Sequence, residues 1–171
     1  MVIFVRGNLT GCVAEGPIER VLDMLLPFGK KDNLRFDPKD KTILVVDDET
    51  DIRTVVGELL TSHGYKVVQA KDGAEALMLL SKSRFDLMVL DIMMPKMDGY
   101  QVMNALKSIN PELPVVMLTS KAEQPDVWKG YVKGCHYYMT KPFRVDTLIR
   151  AVNYLLTNLS DPQRAELEKR L

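Results

Sequence analysis

From Lys41 onward the chain alternates short apolar runs with stretches whose apolar residues recur at helical spacing, and no other feature narrows its fold as far. Strands separated by helices cannot pair as hairpins. They line up in parallel, with crossover helices covering both faces of the sheet. Five runs have strand length: Ile43–Val46, Lys66–Gln69, Leu87–Leu90, Val115–Leu118 and His136–Met139. Between them, Ile52, Val55, Val56, Leu59 and Leu60 mark one helix, Ala74, Leu77, Met78 and Leu80 a second, and Val102, Ala105, Leu106 and Ile109 a third. Trp128 and Tyr131 fall on a helix before the fifth strand, and a last helix is expected from about Val145 to Leu156 on the stripe Leu148, Ile149, Val152, Leu155. His63-Gly64, Asp72-Gly73 and Asn110-Pro111 punctuate the boundaries. Right-handed crossovers then make a doubly wound α/β sheet the expected architecture.

The first forty residues break the alternation. Val2–Val5 has the look of a strand and Pro17 to Leu25 of a short helix, too little to bury a core alone. We therefore divide the chain into an N-terminal extension (1–40), a main domain (41–158) and a short helical tail (159–171) that starts at the Ser160-Asp161-Pro162 cap signal. Lys+Arg and Asp+Glu both number 23, so no net charge draws the protein to nucleic acid or an anionic membrane, and any electrostatic function must be local. Two cysteines, Cys12 and Cys135, give no disulfide framework and suit a reducing cytoplasm. No run approaches the ~20 apolar residues of a membrane span.

Acid stands at the ends of two strands: Asp47, Asp48 and Glu49 after the first, Asp91 after the third. Open α/β sheets place their chemistry at the carboxyl ends of strands, and several carboxylates gathered there make an oxygen-rich site for a hard divalent cation. Taken singly, each residue has a plainer reading. Asp47-Asp48-Glu49 suits the N-terminus of the next helix, Asp91 suits a turn, Thr119 suits a strand end, and Lys141 suits a solvated lysine before Pro142.

Taken together, four motifs resemble the receiver domain of two-component response regulators over about Lys41 to Asn158. They are Val45-Val46-Asp47-Asp48-Glu49, Asp91 with Met94-Pro95 and Asp98-Gly99, Leu118-Thr119-Ser120, and Tyr138-Met139-Thr140-Lys141-Pro142-Phe143, in family order. The resemblance implies a flavodoxin-like sheet of strand order 2-1-3-4-5. It also implies that Asp91 is the phosphoacceptor, with Lys141 and Thr119 serving the phosphoryl oxygens. Mg2+, or Mn2+ in its place, would be held by Asp47, Asp48, Asp91 and the backbone carbonyl of Met93, Asp47 acting mainly through the metal's waters. In the family the Lys-Pro bond is typically cis, and Thr119 with Tyr138 would form the switch that reports phosphorylation.

The expected function is that of a stand-alone signalling module that catalyses its own phosphorylation and dephosphorylation and is not a metabolic enzyme. A sensor histidine kinase or phosphotransfer protein would supply the phosphoryl group. The output would be a protein contact through the fourth helix, fifth strand and fifth helix, with a phosphorylation-dependent homodimer among the partners the family allows and no direct DNA binding. The family's Gly-Ala-Asp-Asp-Tyr stretch reads Gly134-Cys135-His136-Tyr137-Tyr138 here, which with Trp128 and Tyr131 enriches that face in aromatics. Trp128, Tyr131 and Tyr137 are therefore the expected partner surface, because aromatic anchors dominate interface energies. The alternative is a receiver-like module that is never phosphorylated and binds through this face or its extensions. A phosphatase with an aspartyl nucleophile is disfavoured, since Met93 stands where such an enzyme carries its general acid.

Overall fold

The computed structural model describes residues 36–120 and 137–157. Most of the N-terminal extension, the expected helix with Trp128 and Tyr131, His136, and the C-terminal tail lie outside them. A single 3-10 turn, Pro38–Asp40, leads into strand β1 (Thr42–Val46), helix α1 (Thr50–Ser62), β2 (Lys66–Ala70) and α2 (Gly73–Lys82). Then follow β3 (Leu87–Asp91), α3 (Gly99–Ile109), β4 (Val115–Thr119), β5 (Tyr137–Thr140) and α4 (Val145–Leu156). All five strands pair in parallel in the order β2-β1-β3-β4-β5. This is the flavodoxin-like, doubly wound sheet.

Burial along each strand follows from its place in the sheet. β3 and β4 are buried at every position and β1 at all but its first, because helices cover both of their faces. The edge strands β2 and β5 include residues that are not buried. Val56 and Leu60 of α1 pack with Leu148, Val152 and Leu155 of α4 against one face. Ala76 and Leu80 of α2 pack with Val102, Met103 and Leu106 of α3 against the other. Tyr137 and Met139 face the first cluster, Tyr138 the second, as the two-residue period of a strand requires.

Local signals set the helix ends. Asp72 caps α2 by accepting from the Glu75 amide at 2.8 Å. Asp98 and Gln101 form a reciprocal capping box on α3. α1 is capped by His63 and followed by Gly64, whose φ of +96° favours glycine. Glu49 occupies the N-cap position of α1 but makes no side-chain cap bond, so its carboxylate is not spent on capping.

The ordered framework reaches back beyond Lys41. Phe36 packs on the first core cluster, the Lys41 ammonium stands 5.7 Å from its ring centre, and the same ammonium pairs with Asp86 at 3.0 Å.

Candidate functional site

Asp91 is the last residue of β3, opposite Leu118 of β4, and only 2% exposed. The backbone clamps it from both sides. The Ile92 amide donates to the Leu118 carbonyl at 3.0 Å, and after the turn the Gly99 amide donates back to the Ile92 carbonyl at 3.0 Å. A Cβ on Gly99 would stand 2.5 Å from the Asp91 carbonyl oxygen, so glycine alone lets the start of α3 approach the strand end this closely. Within the turn, Lys96 adopts φ +67° and the Met97 amide donates to the Pro95 carbonyl at 2.8 Å.

Asp47 follows β1 directly and is 1% exposed. Its Oδ1 accepts from the Glu49 amide at 2.9 Å and its Oδ2 from the Lys141 ammonium at 2.8 Å. Each of Asp47, Asp48 and Asp91 offers a carboxylate oxygen within 4.8 Å of the others, Asp48 being the most exposed of the three. Lys141 is carried in from the end of β5, where its amide donates to the Thr119 carbonyl at 2.6 Å and its bond to Pro142 is cis. Its Nζ lies 2.8 Å from Asp47, 3.2 Å from Glu49 and 3.2 Å from Asp91. The contact to Asp91 is an ion pair by distance without hydrogen-bond alignment, so Asp91 Oδ1 is buried with no hydrogen-bond partner among the described residues.

Buried polar atoms are nearly always satisfied, and an orphaned carboxylate oxygen beside two further carboxylates is the donor set a hard divalent cation needs. The residues fit such an ion. The electrostatics agree with the geometry. Burial raises the Asp91 carboxyl above its ordinary value and the negative charges of Asp47 and Asp48 add to this, while Lys141 opposes it. Burial also raises Asp47, again against Lys141. Desolvation would lower the Lys141 ammonium, but its contacts with Asp47 and Asp91 outweigh it and leave it raised.

The expected residues Asp47, Asp48, Asp91 and Lys141 thus come together, and Thr119 ends the neighbouring strand β4, fully buried and in register with Thr140. Met93, two residues past Asp91, is 45% exposed. Tyr138 is half-buried on β5. The expected partner surface needs a correction: Tyr137 points into the core with no exposed area, so its ring is not presented to a partner. Trp128 and Tyr131 lie outside the described residues. Two contacts were missed from sequence. Glu49 pairs with Lys141, and the Arg53 guanidinium donates to the Asp47 carbonyl at 2.7 Å from the first turn of α1. Arg53 lies six residues beyond Asp47, and only the turn joining β1 to α1 brings them together.

Residues 43–153 match the response regulator receiver domain family, and the chain belongs to it. It is 40% identical over 127 residues to a probable transcriptional regulator ycf27 of Porphyra purpurea, covering 70% of this chain and 52% of that one. It is 37% identical over 126 residues to the response regulator MprA of Mycobacterium ulcerans, covering 72% and 54%. The chain therefore spans about half the length of these curated relatives. Among solved structures it resembles chemotaxis protein CheY4 of Vibrio cholerae at TM-score 0.63 and 34% identity, over 68% of this chain and 98% of that one. It also resembles TrrA of Thermotoga maritima, solved with Mg2+ and beryllium fluoride, at TM-score 0.61 and 32% identity, over 68% and 99%.

Among the described residues no helix is long and apolar enough to cross a membrane. Residues 43–153 are thus a response regulator receiver domain.

Proposed function

We propose that Asp91 is the phosphoacceptor of this receiver domain and that Asp47, Asp48 and Asp91 hold Mg2+ beside it, with the Met93 carbonyl as a further ligand. The observation that carries the reading is Asp91 Oδ1: buried, without a hydrogen bond, 3.2 Å from an ammonium and inside a carboxylate cluster. A carboxylate oxygen of Asp91 attacks the phosphorus of the donor, a new P–O bond forms, and the bond to the donor's leaving group breaks with its electron pair leaving on that group. Lys141 and Thr119 then pair with phosphoryl oxygens. When bound, Mg2+ offsets negative charge that would otherwise repel the incoming phosphoryl group.

Signal output runs through Thr119 and Tyr138. Thr119 ends β4 and Tyr138 lies on the adjacent strand β5, opposite Met117, which supports a relay in which Thr119 is drawn towards the phosphoryl group and Tyr138 repacks against the second cluster. The phosphodonor is a histidine kinase or phosphotransfer protein. A curated relative is named as a probable transcriptional regulator, which bears against the expectation of no direct DNA binding without settling it.

Beryllofluoride with Mg2+ tests the site. It should stabilise the wild type by an amount that grows with ligand to about 2.7 kcal/mol at a hundred times Kd, read as a rise in melting temperature, and leave Asp91→Asn unmoved. An equal rise in both proteins would place the ligand elsewhere.

A further inference from the structure

We infer that Glu49 is a positioning residue that restrains Lys141 and so slows phosphoryl uptake, an inference that rests on the phosphoacceptor reading of Asp91. An ammonium has three hydrogens to donate. Two of the Lys141 contacts are aligned hydrogen bonds, to Asp47 Oδ2 at 2.8 Å and to Glu49 Oε1 at 3.2 Å. The third neighbour, Asp91 Oδ1, lies at 3.2 Å and receives charge but no hydrogen bond. Lys141 is thus held by the two acids that are not the acceptor, and it must redirect a donor before it can serve a phosphoryl group on Asp91.

The two restraints differ in what releases them. Asp47 belongs to the group of carboxylates able to share a cation, so a bound cation competes with Lys141 for its charge. Glu49 stands outside that group, at the rim, with its side chain 61% exposed against 11% for Lys141. Its hold therefore persists when the metal site fills. An ion pair with one exposed partner is weak, which makes Glu49 a brake of small size rather than a lock.

The test follows the rate at which intact mass rises by one phosphoryl group when the full chain is mixed with acetyl phosphate at saturating Mg2+. Glu49→Gln keeps the shape and removes the charge at an exposed position, and it should phosphorylate about two- to five-fold faster than wild type. A general easing of repulsion towards the anionic donor would accelerate the reaction whether or not Lys141 is present, so the same pair is compared in a Lys141→Ala background. There the acceleration should vanish. If wild type gains a phosphoryl group but Glu49→Gln is no faster, or if the acceleration survives in Lys141→Ala, the brake is refuted while the role of Asp91 stands. No gain on wild type removes both.

Discussion

Asp91 is held at a cost to the fold. Its carboxyl is raised by burial and by the neighbouring acids, so the folded protein takes up its proton more readily than the unfolded chain does. Stability from this group is fully present below the unfolded value of about 3.9 and is lost as pH climbs through the folded value. Asp47 acts with the same sign. In the metal-free wild type these two groups should therefore contribute less stability as pH rises from the acidic range towards neutrality, against the opposite trend from Asp146, and Asp91→Asn should melt at a higher temperature near neutrality and lack the Asp91 part of that pH dependence. Thermal melts of both proteins across pH in a chelating buffer check this. Lys96 gives a second prediction at this scale. Its left-handed backbone costs a non-glycine residue on the order of 1 kcal/mol, and Lys96→Gly should return part of that in a urea titration despite the greater freedom of the unfolded chain.

The elements explain what was legible in the sequence and what was not. Runs such as Leu87–Leu90 announced their strands because central parallel strands are apolar on both faces. β3 and β4 nevertheless continue one residue past their apolar runs, to Asp91 and Thr119. Hydrophobic pattern ends where the core ends, whereas pairing in these two strands goes one rung further, and Asp91 and Thr119 occupy that rung. Tyr137 was misread because a strand sends alternate side chains to opposite faces, and without the register neither tyrosine could be assigned to the core. The Glu49 and Arg53 contacts were hidden because they depend on the path of the β1–α1 turn. At the start of α3, Asp98→Ala removes one arm of the capping box and should cost about 1 kcal/mol in urea unfolding. Gly99→Ala sets a methyl against the Asp91 backbone and should cost about 1–3 kcal/mol. Because that clash displaces Asp91 itself, its phosphorylation should slow far more than that of Asp98→Ala.

At the scale of the molecule, one end of the sheet carries the carboxylates and Lys141, and the other carries the joint of Phe36, Lys41 and Asp86. The division of the chain at residue 40 places Phe36 outside the main domain, whereas its ring lies on the core. A chain beginning at Phe36 should accordingly be more stable than one beginning at Lys41, by about 1–2 kcal/mol for the lost apolar contact, and both should keep the chemistry of Asp91. The account as a whole stands on covalent phosphorylation of one carboxylate. Its most direct test is the intact mass of wild type and Asp91→Asn after incubation with acetyl phosphate, with and without Mg2+. Wild type should gain a single phosphoryl group only when Mg2+ is present and Asp91→Asn should gain none; no gain on wild type, or an equal gain on both, would contradict it.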